Sequence, residues 1–320
     1  MRKHLFYGCK DSESKITNIS YHEHFYKNSK DISEIILHIG KHIRLIFPGF
    51  DKCVFGTRTL TIEVDENNPY FKTINGILYS KDGKKLIRCP NGIKNITIPD
   101  TVETIGPEAF SGLTFDDLVL PDSVQTIGSK AFEGTYFNKL TLPKSLKEIG
   151  SEAFKHCHSK CEITIPDSVK SIGYEETFRE CHCPKVTLPG VEEIPTDCFE
   201  NSNIPEIILS EGTKIIRPNA FSHCKITEIN IPSTVEEICI QAFRCTRLKK
   251  LTLPETLKII GKNAFTDTGL HDMNIFVEKM AASAFKNCTN IHVSPNTIIL
   301  DDNKYFIRAD DGSLILVEEG

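Results

Sequence analysis

A pattern of apolar and polar positions recurs along most of the chain. Each copy begins with two apolar residues separated by one residue, as in Ile96-Thr97-Ile98, and a proline usually follows. The second half of each copy places apolar residues three or four apart, as at Val102, Ile105 and Ala109. The alternating start predicts a short strand with both apolar side chains on one face. The wider spacing of the second half predicts a helical turn.

The pattern occurs eight times at a step of about 22 residues, a period typical of solenoid repeats. A weaker ninth copy runs from Met273 to Phe285. The predicted strands begin at Ile96, Leu118, Leu140, Ile163, Val186, Ile207, Ile229 and Leu251. A single strand and turn cannot bury their apolar faces alone, so neighbouring copies must stack into one core. We therefore expect the phenylalanine that ends each copy to stack on the next. These residues are Phe110, Phe132, Phe154, Phe178, Phe199, Phe221, Phe243, Phe265 and Phe285.

Glycine recurs at one position in the second half of the repeat. It is found at Gly106, Gly128, Gly150, Gly173 and Gly261. Pro195 and Arg217 occupy the same position in two other copies. Proline fixes φ at about −65°. The column therefore predicts the start of a helical turn rather than a left-handed backbone conformation.

The repeated motif I-x-I-P-x-x-V-x-x-I-G-x-x-A-F resembles that of the BspA-like leucine-rich repeat family, over about residues 62–293. The resemblance implies an α/β solenoid: a right-handed coil with a parallel β-sheet on the concave face and short helical turns on the convex side. It also implies a cell-surface or secreted protein linked to adhesion. The shortened copy at residues 186–206 and the extra residue before Phe178 depart from the family pattern.

The two ends of the repeat array predict β-hairpins. Asp82-Gly83 lies between two short apolar runs, and Asp311-Gly312 repeats this arrangement near the end of the chain. The predicted divisions are an N-terminal cap or degenerate repeats at 1–61, a β-hairpin insertion at 62–92, BspA-like repeats at 93–293 and a C-terminal hairpin cap at 294–320. A small separate domain at residues 1–60 is an alternative.

Composition and charge narrow the possible partners. The chain is 39% apolar and 25% charged. No run approaches the roughly 20 apolar residues that a membrane helix needs, so we expect no membrane insertion. The basic start is followed by only three apolar residues, so no signal peptide is expected in this chain. A net charge of −5 gives no electrostatic reason to expect nucleic acid binding.

Two columns of residues are expected to face outward from the predicted sheet. The middle strand position holds Thr97, Val119, Thr141, Thr164, Thr187, Ile208, Asn230, Thr252 and Asn274. Threonine is first of all a good strand former, which is the structural explanation for this column. The position before each strand alternates in charge except at Glu206 and Glu228. The predicted partner-binding residues are Glu206, Ile208, Glu228 and Asn230, with Thr187 and Thr252 beside them.

Twelve cysteines are present, and several cluster with histidine at residues 156–161 and 181–183. Thiolates and imidazoles suit zinc, which makes Cys157, Cys161, Cys181 and Cys183 the candidate ligands. However, Cys157, Cys181, Cys224 and Cys288 all lie three residues after the repeat phenylalanine. The other copies have Thr135, Ser202, Thr246 and Thr268 there, so the column favours a small packed side chain. Zinc and a disulfide remain alternatives.

No nucleophile elbow, phosphate-binding glycine loop or paired carboxylate motif occurs, so we predict neither catalytic residues nor a cofactor. The leading prediction is a non-enzymatic protein-interaction or adhesion module. It would bind a protein or glycan of a host or neighbouring cell through its concave sheet and adjoining loops. The alternatives are an intracellular scaffold with reduced thiols and a zinc-binding repeat protein using the 156–183 cluster.

Overall fold

The computed structural model describes residues 2–7, 18–19, 34–48, 59–93, 95–302, 304–308 and 314–318. The chain divides into two compact units, Met1–Leu146 and Lys147–Gly320, and each is described by itself. Within the described ranges, strands are the regular elements and no helix occurs.

The first unit contains twelve strands in its described residues. They are β1 (Arg2–Tyr7), β2 (Asn18–Ile19), β3 (Glu34–Ile39), β4 (Leu45–Ile46), β5 (Thr59–Val64), β6 (Phe71–Ile74), β7 (Ile77–Ser80), β8 (Lys85–Arg88), β9 (Thr104–Ile105), β10 (Thr114–Val119), β11 (Thr126–Ile127) and β12 (Tyr136–Thr141). Strands β1, β3 and β5 are parallel neighbours, and so are β2 and β4. Parallel pairs also join β8 to β9, β9 to β11, and β10 to β12. Repeat-like coiling thus extends towards the N-terminus, although the division at residue 61 stays a prediction.

The hairpin predicted at Asp82-Gly83 is confirmed. Strands β7 and β8 are antiparallel, Gly83 has a φ of 80°, and its N–H donates to the Ser80 carbonyl at 2.9 Å. A second turn at Asn75-Gly76, with φ values of 52° and 79°, joins β6 to β7. Asn-Gly is the preferred pair for this kind of turn, because both residues tolerate a positive φ.

The second unit contains sixteen strands in its described residues. They are β13 (Glu148–Ile149), β14 (His158–Ser159), β15 (Ile163–Thr164), β16 (Ser171–Ile172), β17 (Lys185–Leu188), β18 (Glu193–Ile194), β19 (Glu206–Leu209), β20 (Ile215–Ile216), β21 (Glu237–Ile238), β22 (Ile259–Ile260), β23 (His271–Ile275), β24 (Lys279–Ala281), β25 (Thr289–Val293), β26 (Ile298–Leu300), β27 (Lys304–Arg308) and β28 (Leu314–Glu318). One parallel ladder follows the order β18-β20-β21-β22-β24-β26, and a second follows β15-β17-β19. Strands β27 and β28 form an antiparallel hairpin. The predicted turn residues Asp311 and Gly312 lie outside the described residues, and the capping role stays a prediction.

The prediction of short helical turns is wrong. In the coils with Phe110 to Phe265, the residues two before and two after the repeat phenylalanine have a positive φ, for example Asn219 at 55° and His223 at 57° around Phe221. A left-handed residue on each side of the phenylalanine prevents a helix from continuing. Alternate amides then point to different partners. The Ala220 N–H donates within its coil to Arg217, whereas the Phe221 N–H donates to Ala242 of the next coil at 2.7 Å.

Glycine recurs at this repeat position for a different reason from the predicted one. Gly106 does not have a positive φ, as expected, but it starts no helix. A Cβ atom built on Gly106 would lie only 2.7 Å from the Leu86 carbonyl oxygen of the preceding coil. Close approach of neighbouring backbones therefore favours glycine there. Gly173 departs from the expectation, with a φ of 77°.

The stacked phenylalanine core is confirmed within each unit. In the first unit, the rings of Phe110 and Phe132 are stacked with centroids 5.1 Å apart. In the second unit, consecutive centroids lie 4.9 to 5.3 Å apart along Phe154, Phe178, Phe199, Phe221, Phe243, Phe265 and Phe285. These rings are buried, so one aromatic residue in each coil fixes the position of the next coil.

Three predicted strands are not formed. Residues 96–98, 229–231 and 251–253 belong to no strand, although their sequences have the same apolar alternation as the others. In the second unit, the strands at the start of the repeat motif form one row, which we call the strand row. It is interrupted after β19 and resumes at the pair β23–β25. The candidate site lies at this interruption.

Candidate functional site

The outward-facing column follows from the two-residue period of a strand. In β19, Ile207 and Leu209 are buried at 4% and 6% exposure, and Ile208 between them is 38% exposed. The same alternation leaves Asn230 and Thr252 exposed in the coils that lack a strand, whereas Thr187 in β17 is half-buried. The predicted outward direction of this column is confirmed.

The charged column forms an ion pair where the strands are paired. The Lys185 Nζ lies 2.8 Å from the Glu206 Oε1 across the β17–β19 ladder. This hydrogen bond raises the pKa of the Lys185 ammonium above its ordinary value. The next two members of the column, Glu228 and Lys250, have opposite charges, but the described part of the chain offers neither of them an ion-pair partner.

A groove of about 620 Å³ opens at the interruption of the strand row. It is lined by Pro184, Pro205, Glu206, Ile207, Ile208, Leu209, Glu228, Ile229, Asn230, Lys250, Leu251 and Thr252. Five of the six predicted partner-binding residues are in this lining, and the sixth, Thr187, is not among the described lining residues. We call this surface the 206–252 groove.

Leu251, an apolar residue of the groove lining, was not predicted from the sequence. Leu251 occupies a repeat position whose side chain is buried in the neighbouring coils, at 4% exposure for Ile207 and 9% for Ile229. Leu251 is nevertheless partly exposed. It is the same residue type as in a closed coil, so nothing in the repeat pattern marks it. Its exposure coincides with the absence of backbone hydrogen bonds between residues 228–231 and 250–253.

The cysteine cluster is packed in the core. The Cys157 and Cys181 Sγ atoms lie 2.9 Å apart, and both side chains are buried. Burial, reinforced by the Cys157 contact, raises the pKa of the Cys181 thiol, which favours the neutral form over the thiolate that binds zinc. Cys161 is exposed instead. In the described ranges, no three His, Cys, Asp or Glu side chains converge in a way that could hold a metal ion.

The small-residue column is confirmed by its contacts. The hydroxyls of Thr135, Thr246 and Thr268 each donate to the carbonyl of the repeat phenylalanine three residues earlier, at 2.7 to 2.9 Å. Cys157, Cys181 and Cys224 occupy the same buried position in other coils. A small side chain that fits beneath the coil is therefore the structural requirement at this position.

The histidines beside this column stack on each other. The rings of His158 and His182 lie 4.5 Å apart and are nearly parallel. Burial, together with the nearby His182 and His156, lowers the pKa of His158. His156 is directed elsewhere, with its Nδ1 3.2 Å from the Glu180 carboxylate. The cluster is thus accounted for by stacking and pairing between coils.

Parallel coils of about 22 residues, joined by backbone ladders and by one stacked phenylalanine per coil, define a β-solenoid repeat protein of the leucine-rich repeat type. The BspA type leucine rich repeat region matches residues 87–189 and 174–292, in six copies. The chain belongs to the BspA-type leucine-rich repeat family. Comparison with curated proteins finds no match.

Solved structures support the same fold. A leucine-rich repeat protein from Eubacterium ventriosum aligns with a TM-score of 0.57 and 21% identity, over 74% of this chain and 59% of that one. This chain therefore spans less than two thirds of that relative. A leucine rich cell surface protein from Faecalibacterium prausnitzii aligns with a TM-score of 0.50 and 16% identity, over 92% and 87% of the two chains. The described ranges contain no helix with the length and apolar character needed to cross a membrane.

Proposed function

We propose that this chain is a non-enzymatic interaction module that binds another macromolecule through the 206–252 groove. The observation that carries the proposal is the groove itself, which opens at coils that are otherwise closed around a continuous core. The contact residues would be Glu206, Ile208, Glu228 and Asn230, with Thr252 beside them and Thr187 at the margin.

The chemistry of the groove fits a macromolecular partner. Ile208 and Leu251 offer apolar contact area, and Glu228 and Lys250 offer charges with no ion-pair partner in the described residues. An apolar centre with charged and polar groups around it is typical of protein interfaces. Enzymatic activity has no such support, because the described lining contains no nucleophile beside a general base.

An adhesive role at a cell surface is part of this proposal. It rests on membership of the BspA-type family. The Faecalibacterium prausnitzii protein, which shares the fold, is described as a cell surface protein. The expected partner is a protein or glycan of a host or neighbouring cell.

The test uses two defined ligand collections. The purified chain is screened against an array of immobilised glycans and against a library of random dodecapeptides displayed on phage. Binders are then measured against the double variant Glu206→Arg/Glu228→Arg. Reversal of both charges at the groove is expected to weaken binding at least about tenfold.

The matched control is Glu255→Arg/Glu278→Arg, which reverses two exposed carboxylates outside the groove lining. It should bind as the wild type does. Both variants are first compared with the wild type by thermal unfolding. Ligands that bind both double variants equally well, or the recovery of no ligand from either collection, would refute the proposal.

A second candidate is an intracellular scaffold with reduced thiols. None of the ten cysteines among the described residues is in a disulfide, and most of them are buried. Counting free thiols and bound zinc in the native protein separates the candidates: free thiols without metal favour the scaffold, paired cysteines favour an exported protein, and stoichiometric zinc favours the metal-binding alternative. Protease treatment of intact cells then tests the location directly.

A further inference from the structure

The strand row of the second unit is open at two consecutive coils. In paired coils, the amide two residues after the strand start donates to the next coil, as Ile165 N–H does to the Thr187 carbonyl at 2.9 Å. The equivalent bond from Leu209 to Asn230 is not made. Across the described residues, no backbone hydrogen bond joins β19 to residues 228–231, or those residues to 250–253. The edge of β19 that faces the next coil therefore makes no backbone hydrogen bonds to it.

The same coils are fully joined elsewhere. On the opposite ladder, β20, β21 and β22 are paired without a break. The Phe221 N–H donates to the Ala242 carbonyl at 2.7 Å, and the Arg247 N–H donates to the Ile226 carbonyl at 3.1 Å. The opening is thus local to one side of coils that are hydrogen-bonded to each other elsewhere. An unpaired edge held in place by hydrogen-bonded neighbouring coils is already organised for binding.

The side chains at the opening also lack the contacts that they make in paired coils. Lys185 and Glu206 are within 2.8 Å across paired strands, whereas Glu228 and Lys250, in adjacent positions of the same column, are not within ion-pair distance. Leu251 is partly exposed, in contrast to Ile207, which occupies the same repeat position and is buried. The groove therefore presents unpaired backbone groups, a carboxylate and apolar surface together.

We propose that the 206–252 groove binds an extended peptide segment of a partner protein, which pairs as an added strand with the free edge of β19. The inference rests on the proposed function and names the class of its partner. A free strand edge is a template for another strand, and main-chain hydrogen bonds supply the affinity in such complexes. Four extended residues, at about 3.3 Å each, match the four residues of β19.

The side chains of the lining also indicate which peptide side chains fit the groove. A basic side chain of the peptide meets Glu228, and an apolar side chain lies over Ile208 and Leu251. A glycan fits the groove less well, because sugar rings are usually held against aromatic side chains and the described lining contains none. The Leu209 amide is the donor to the first peptide carbonyl.

The test begins with the same dodecapeptide phage library, selected on the wild type and counter-selected on Glu206→Arg/Glu228→Arg. Selected sequences are synthesised with one N-methylated amide at a time. Because successive amides of a strand point to opposite sides, methylation should weaken binding about tenfold at alternate positions and leave it unchanged between them.

A second measurement follows the protein backbone. In the free chain, the Leu209 amide should exchange its hydrogen faster than the Ile165 amide, and bound peptide should slow the exchange of Leu209. Equal sensitivity or insensitivity at every methylated position would overturn the strand-pairing inference, and so would selection of glycans alone. The proposed function would survive either result if those ligands still required Glu206 and Glu228. Recovery of no groove-dependent ligand would overturn both.

Discussion

At the scale of single residues, the repeat phenylalanine contributes most to the core. Its recurrence, one per coil, is visible in the sequence and predicts the stack that the structure contains. Phe199 is in contact with rings on both sides, Phe178 and Phe221. Removing a central ring therefore leaves a cavity between two coils.

Phe199→Ala is expected to lower the free energy of unfolding by about 3–5 kcal/mol, because both the transfer free energy and the packing of two neighbours are lost. Urea unfolding followed by circular dichroism measures the change. The control is Phe276→Ala, since Phe276 is 74% exposed and its loss should cost no more than about 0.5 kcal/mol. Similar losses for both variants would contradict the stacked core.

At the scale of the element, the second half of each coil is the place where the sequence misleads. Apolar residues three or four apart are typical of a helix face, yet the chain forms a series of tight turns with a left-handed residue on each side of the phenylalanine. The spacing is the same because both structures return side chains to one face after three or four residues. Bonds to the next coil replace those of a helix, so only stacked coils can reveal this choice.

Gln241→Val is expected to destabilise the protein by about 1–2 kcal/mol, because Gln241 has a φ of 56° and a β-branched residue is strained there. Thermal and urea unfolding provide the measurement. Gln241→Gly is the matched control and should change stability by less than about 1 kcal/mol, because glycine adopts a positive φ without strain. A helical turn would give the opposite order, with glycine the more harmful substitution.

At the scale of the whole molecule, coils contact their neighbours in sequence, so stability accumulates coil by coil. The end of such an array exposes an unpaired strand edge. In the described residues, β26 is the last strand of its parallel ladder and pairs with β24. Residues after Val293 are predicted to cap this end.

A chain ending after Val293 should keep its remaining coils but self-associate, because loss of β26 leaves the edge of β24 open. Light scattering coupled to gel filtration gives the mass, and circular dichroism checks the fold. A second truncation after Asp302 retains β26 and so separates its contribution from that of the hairpin β27–β28. Monomers of unchanged stability from both truncations would mean that residues 294–320 are not a cap.

The site was only partly predictable. The pattern of charges along a column can be taken from the sequence alone. Two like charges follow each other at Glu206 and Glu228, and these residues lie in coils that line the groove. The exposure of Leu251 was missed, since this residue follows the same motif as buried leucines in closed coils. The difference lies in hydrogen bonds between coils, and no single repeat carries that information.

The sequence by itself determined the repeat and its regular period, the column of stacked phenylalanines, the column of small buried residues and the hairpin at Asp82-Gly83. These features depend on residues within one coil and on their regular recurrence. The tertiary structure decided the left-handed turns in place of helices, the close backbone approach at Gly106 and the open edge of β19. Each of these depends on the spacing and bonding of adjacent coils, which appear only once the coils are stacked.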